Sequence, residues 1–381
     1  MRSEGGEMRI DLGLIFSTTG PYGALGRAAL AGARMAVDEV RHEGRLDLRP
    51  VIRDPAGVPA QYEAMSAELL SQGRVRHMIG AITSWSRKDM IPVLERHGGL
   101  LWYPCPYEGF ESSDHVVYLG TSPNQHMVPL LDRMIQTGMR RVYLAGSNYV
   151  WGWETLRLAR ERAGQAGAEI AAERYLPLGD TDCALLIEEI GRTRPDVIVN
   201  SLIGPSNVMF MRALAELRRR DPSLRVTVVS CNQTEADLAE IGSAAEGMLS
   251  MGSWFQEAGP QDFLRHASAR EPGERFSAFF ATSYTAVRLV ADAALRAGTD
   301  DIRAVFAAAA GRRHDTVLGP LTIDPLTRHA ALTPRLARAE SGMFRMIWSA
   351  DGPVAADPYL TRLPAAATAS SPPRPALRVV E

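Results

Sequence analysis

Apolar and polar positions alternate along the chain in two rhythms. Met8 to Phe16 is a short run rich in Ile and Leu and reads as a strand, and Ala24 to Val40 has apolar residues spaced near 3.6 and reads as a helix. The same pair of patterns repeats. Leu46 to Arg53, Arg76 to Ala81 and Leu100 to Tyr103 read as strands, and Ala60 to Gln72 and the stretch from Ser84 to Glu95 read as helices. This β-α-β-α-β-α-β order predicts a parallel sheet with helices on both faces.

The pattern restarts after an extended piece, Val117 to Gly120. Helices are expected at Met127 to Thr137, Trp153 to Ala166, Cys183 to Thr193, Asn207 to Arg218 and Glu235 to Ile241. Strands are expected between them at Arg141 to Ala145, Glu169 to Tyr175, Asp196 to Ser201 and Arg225 to Ser230. Beyond an extended run at Ser250 to Phe255 come helices at Ser277 to Gly298 and Asp301 to Ala309. A strand at Gly319 to Ile323 and an antiparallel pair within Arg335 to Ser349, turning at Ser341-Gly342, complete the pattern. From Pro364 the chain is Ala, Ser, Pro and Arg and reads as a disordered tail, 364–381. Two units with the same element order predict two similar α/β lobes, which 381 residues are enough to build.

Composition removes several classes of function. A net charge of −2 with no basic stripe argues against direct nucleic-acid binding. Three cysteines, at 105, 183 and 231, form no zinc spacing and no disulfide framework. Nucleotide-loop, nucleophile-elbow and zinc-protease motifs are absent, and no metal or cofactor is expected. No apolar run is long enough to span a membrane. The first residues, polar and lacking the pattern of a signal peptide, lead to the expectation of a cytoplasmic protein.

Candidate chemistry collects at the carboxyl ends of the strands, where open α/β sheets place ligands. In the first lobe these are Ser17 to Tyr22, Thr83, Ser84 and the stretch Tyr103 to Tyr107, which includes Cys105 and Pro106. In the second they are Ser147 to Tyr149, Ile203, Gly204, Asn232, Gln233 and Thr234, and Trp254 joins them from the later extended run. Hydroxyls, backbone N–H groups and aromatic faces suit a small neutral polar ligand, and no pair of charges stands ready for a zwitterion. Taken singly, Ser84, Ser147 and Thr234 also read as helix caps or turn residues. Two other readings stay open. Cys105 with Glu108 and Lys88 would be the set of an amide or nitrile hydrolase, although a lone cysteine is more often a packing residue. A scaffold that has lost its ligand is the third.

Several stretches carry a family resemblance: Gly13 to Gly20, Thr83 to Lys88, Tyr103-Pro-Cys-Pro-Tyr-Glu-Gly-Phe-Glu-Ser112, Gly146 to Tyr149, Tyr175 to Asp182, Asn200 to Gly204 and Gly319 to Leu321. In these the chain resembles the type I periplasmic binding proteins. The resemblance is to their amide- and urea-binding branch, which holds the amide sensor of amidase operons and the urea-binding subunit of ABC transporters. It implies two parallel-sheet lobes joined by a three-crossover hinge, with crossovers near 119–123, 247–252 and 323–329. One lobe would hold 8–120 with 251–325, the other 121–250 with 326–358. It further implies non-enzymatic binding of a short amide or urea between the lobes. Ser84 would hold the polar end, and Tyr103 and Tyr149 would stack on it from either side. Cys105 and Ile82 stand where the branch often has other residues, and Trp151 and Trp153 recut the pattern after Tyr149. An antiterminator-type regulator would be the partner of a sensor, an ABC permease that of a transporter subunit. The ligand of the transporter reading would be urea, an amide or a branched-chain amino acid, and a homo-oligomer through first-lobe helices is the analogy of the fold.

Overall fold

The computed structural model describes residues 8–362. The tail expected at 364–381 and the leader before Met8 lie outside those residues. The chain starts with β1 (Arg9–Ile15), α1 (Gly23–His42), β2 (Asp47–Arg53), α2 (Pro59–Ser71), β3 (Val75–Gly80), α3 (Ser84–His97), β4 (Leu100–Tyr103) and β5 (Val116–Tyr118). The five strands form one parallel sheet in the order β2-β1-β3-β4-β5. Both faces of this sheet are covered, so β4, Leu-Leu-Trp-Tyr, is buried at every position.

A second run follows: α4 (Met127–Gln136), β6 (Arg141–Ser147), α5 (Val150–Gln165), β7 (Glu169–Leu176), α6 (Ala184–Thr193), β8 (Val197–Ser201), α7 (Gly204–Arg220), β9 (Thr227–Ser230), α8 (Glu235–Ile241) and β10 (Leu249–Gly252). The chain then returns to the first lobe with α9 (Gln261–Arg270), α10 (Ala278–Ala297), α11 (Ile302–Ala309), β11 (Arg313–Thr316), β12 (Gly319–Ile323) and β13 (Ala330–Ala331). It ends in a hairpin, β14 (Arg335–Glu340) and β15 (Met343–Ser349). The second sheet has seven strands, β15-β14-β10-β9-β8-β6-β7, with β14 and β15 running antiparallel at one side. This is the expected fold class, two α/β lobes built on parallel sheets.

The first lobe is closed by α10, which lies along α1. A Cβ on Gly32 of α1 would stand 2.1 Å from the carbonyl oxygen of Phe280, so the two backbones touch there. The chain passes between the sheets after β5, after β10 and before β14. The last passage is not at 323–329. Residues up to Ala331 stay with the first lobe, because β13 pairs with β12 and His329 bridges to Tyr118 of β5. Two helices begin three residues before their sequence signal. α5 starts at Val150 rather than Trp153, and α7 at Gly204 rather than Asn207. In α7 a proline stands in the first turn, where it lacks only an N–H that a helix leaves unpaired.

Candidate functional site

Three helices start at the cleft between the lobes. α3 belongs to the first lobe and is capped by Thr83, whose hydroxyl accepts the N–H of Ser86. α5 starts after Tyr149 and α7 after Ile203, both in the second lobe. Thr83, Ser84, Tyr149, Trp151 and Ile203 line one cavity of about 30 Å³. Its other walls are apolar or weakly polar: Leu25, Ile82, Cys105, Pro106 and Phe279, with Asn232. The first N–H groups of a helix have no partner within it and carry partial positive charge, so such a site favours a carboxylate or carbonyl oxygen. Trp151 stands in the same wall. It is buried, and its Nε1–H has no hydrogen-bond partner. Among the described residues no Asp, Glu, Lys or Arg lines this cavity.

The charges stand one layer back. Ser84 Oγ donates to Glu108, which also accepts from Arg87 Nη2 at 3.0 Å. Arg87 Nε donates to Glu111 at 2.7 Å, and Lys88 Nζ reaches Glu111 at 2.7 Å. Arg87 is fully buried, its guanidinium 4.8 Å from the Tyr103 ring centre and 5.1 Å from that of Tyr107. Burial works against the charge on Arg87, but Glu108 and Glu111 outweigh it and hold the guanidinium protonated. Burial also pushes Glu111 up, and Arg87 and Lys88 more than reverse this, drawing its carboxyl down to about 2. The block Tyr103 to Ser112 thus wraps around Arg87. The network holds Ser84 and the start of α3 in place.

The sequence-predicted residues divide accordingly. Thr83, Ser84, Cys105, Pro106 and Tyr149 line the cavity. Pro106, Gln233, Thr234 and Trp254 line a second, smaller one of about 20 Å³, which shares Pro106, Asn232 and Phe279 with the first. Tyr103 and Gly204 line neither. Tyr103 sits behind the wall, with its hydroxyl donating to the carbonyl of Ile82 at 3.2 Å, and does not stack in the cavity. Gly204 faces the other lobe. Its φ is +60°, and a Cβ there would stand 2.1 Å from the carbonyl oxygen of Pro21. Around the mouth two further contacts join the lobes: the rings of Trp85 and Tyr149 at 6.2 Å, and Arg157 over Phe110 at 5.0 Å.

Leu25 and Phe279 complete the wall without any sequence signal, because both lie in helices whose apolar residues read as core. Arg87 had a signal: it stands three residues after Ser84, as Glu111 stands three after Glu108. Cys105 is not an activated nucleophile. Its thiol donates to the Ala81 carbonyl at 3.4 Å, burial pushes its pKa well up, and Glu108 is already engaged by Ser84 and Arg87. Among the described residues no His, Cys, Asp and Glu cluster could hold a metal ion.

The chain matches the family model of the periplasmic binding protein domain over residues 10–365. It is 22% identical over 323 residues to the leucine-, isoleucine-, valine-, threonine- and alanine-binding protein of Pseudomonas aeruginosa, covering 83% of this chain and 86% of that protein. A solute-binding protein of an ABC transporter from Rhodopseudomonas palustris, solved with 3,4-dihydroxybenzoic acid, superposes with a TM-score of 0.82 at 19% identity, covering 91% of this chain and 98% of the other. The leucine-binding protein LivK of Thermotoga maritima superposes at 0.78 and 17% identity, covering 89% and 98%. At such identities the structural likeness speaks to the fold. These relatives lend no support to the amide and urea branch in particular. They also overturn the expectation of a cytoplasmic protein, since a periplasmic binding domain and solute-binding proteins of ABC transporters point to the periplasm.

Proposed function

The chain belongs to the periplasmic binding protein family, and from that premise we propose that it is the substrate-binding subunit of an ABC transporter for a small carboxylate with an apolar, aromatic body. The observation that carries the choice of ligand is the lining of the first cavity. It combines the start of α3 and the unpartnered Trp151 N–H with walls of Ile82, Phe279 and Tyr149 and no ionised side chain. A carboxylate oxygen would meet donors, and a ring would meet aromatic and aliphatic surface. An α-amino acid fits less well. Its ammonium would be buried without an acidic partner, which costs several kcal/mol. The partner of such a subunit is an ABC permease, and the regulator of the sensor reading has no place in this one.

Calorimetric titration of the purified protein with benzoate, leucine, acetamide and urea tests this. Benzoate is expected to bind at least about 100-fold more tightly than leucine, the ratio that an unpaired buried ammonium implies. Tighter binding of leucine, acetamide or urea than of benzoate would overturn the assignment.

A further inference from the structure

The second cavity lies beside the first, and Pro106, Asn232 and Phe279 line both, so these three residues stand where the cavities adjoin. Two of them are fixed. Pro106 belongs to a backbone that packs on Gly120, where a Cβ would stand 1.8 Å from the carbonyl oxygen of Cys105. Asn232 donates from Nδ2 to the Leu202 carbonyl at 3.2 Å and accepts from the Ser230 hydroxyl at 3.1 Å. Phe279 is the third. It stands in the first turn of α10, two residues after the cap Ser277, and is buried. Its neighbour Phe280 contacts the rings of Phe263 and Phe276, but among the described residues Phe279 makes no ring contact. An apolar side chain held by packing alone, at the junction of two cavities, sets how far a ligand can extend.

We propose that Phe279 is the length stop of the ligand site: with Pro106 and Asn232 it closes the first cavity at the end of the ligand's apolar body and confines the site to acids of one ring. The inference rests on the carboxylate reading above and adds an upper limit of size to it. Pro106 follows β4 and Phe279 lies on α10, both in the first lobe, whereas Asn232 follows β9 in the second. The stop is therefore complete only when the lobes meet. An acid that reached past Phe279 into the second cavity would lie across this junction and hold Asn232 away from Pro106. Cutting Phe279 back to its Cβ would join the two cavities into one longer site.

Binding of benzoate and of 2-naphthoate, which is longer by one fused ring, is measured by calorimetry for the full-length wild type and for its Phe279→Leu and Phe279→Ala variants, with melting curves to report folding. The wild type is expected to favour benzoate by at least about ten-fold, the scale on which a filled apolar pocket rejects added carbons. Phe279→Ala should reverse the order, and Phe279→Leu should narrow the gap. The leucine variant keeps an apolar side chain on α10 and carries the test if the alanine variant does not fold. Equal or tighter binding of 2-naphthoate by the wild type, or a benzoate preference that stays at its wild-type size in the folded variants, would overturn the role of Phe279 and leave the carboxylate reading standing. A wild type that binds neither acid would remove both.

Discussion

Trp151 and Tyr103 are two buried aromatics with polar ends, and only one has its polar end free. The Tyr103 hydroxyl is bonded to the Ile82 carbonyl, whereas the Trp151 N–H has no partner. Trp151→Phe is expected to weaken benzoate binding about ten-fold or more, the effect of removing a donor to a charged group. Tyr103→Phe should leave affinity within about two-fold, because the lost bond lies behind the wall. Calorimetry on the two variants checks this, and a larger loss from Tyr103→Phe would mean that the ring belongs to the cavity. The same contrast marks what was legible at this scale. Thr83, Ser84 and Tyr149 stand where strands end and helices start, and such positions can be read from pattern alone. Tyr103 shares that address, yet the direction of its ring is set by Arg87, a charge whose burial depends on two glutamates from a later loop. Phe279 was out of reach for a different reason. It comes from a helix far along the chain, and nothing distinguishes an apolar residue that faces a ligand from one that faces its own lobe.

Among the elements, α8 carries an unusual first residue. Glu235 is fully buried, accepts the N–H of Gln256 at 2.6 Å and has its other carboxyl oxygen unpartnered. Burial pushes its pKa up to about 8. Asp237, two residues along and also buried, is pushed up to about 7 for the same reason. A folded-state pKa above the unfolded one means stability that is full below about 4.5 and is lost as pH rises through about 8. Glu235→Gln keeps an acceptor for Gln256 and removes the charge. Its melting temperature should fall less than that of the wild type between pH 5 and pH 8, a window set by the same shift. Parallel melting curves would contradict the assignment of the alkaline loss to Glu235. Elements themselves were the most readable level, since buried parallel strands are compact apolar runs. Those that escaped are polar. α9 buries only Phe263 and Ala267, and β11 is Arg-His-Asp-Thr, so neither shows a periodic apolar face.

For the whole molecule, the state described is one in which the lobes meet. The loop after β1 touches the start of α7, with Pro21 against Gly204, and Arg157 of one lobe lies over Phe110 of the other. A ligand shifts such an equilibrium only by its differential affinity for the closed form. Gly204→Ala would place a methyl group against the Pro21 carbonyl at a positive φ. It should hold the lobes apart, giving a larger radius of gyration by small-angle scattering at saturating benzoate and weaker binding of it. A scattering profile that contracts like the wild type would show that the contact does not limit closure. The two-lobed plan could be read from the repeated element order. The third passage between the lobes could not be placed, because β13 is two residues long and is held by pairing with β12 and by the bridge from His329 to Tyr118.

The contact between Trp85 and Tyr149 gives the molecule an optical character. Trp85 is 42% exposed on one lip of the cleft and stands against a tyrosine of the other. An indole whose surroundings change from water to a neighbouring ring shifts its emission, and here that neighbour is present only while the lobes are together. The chain therefore has a built-in fluorophore at its mouth. Its colour follows each opening and closing without any attached dye, beside Trp151 in the cavity wall and the exposed Trp153 and above the steadier emission of the buried Trp102 and Trp254.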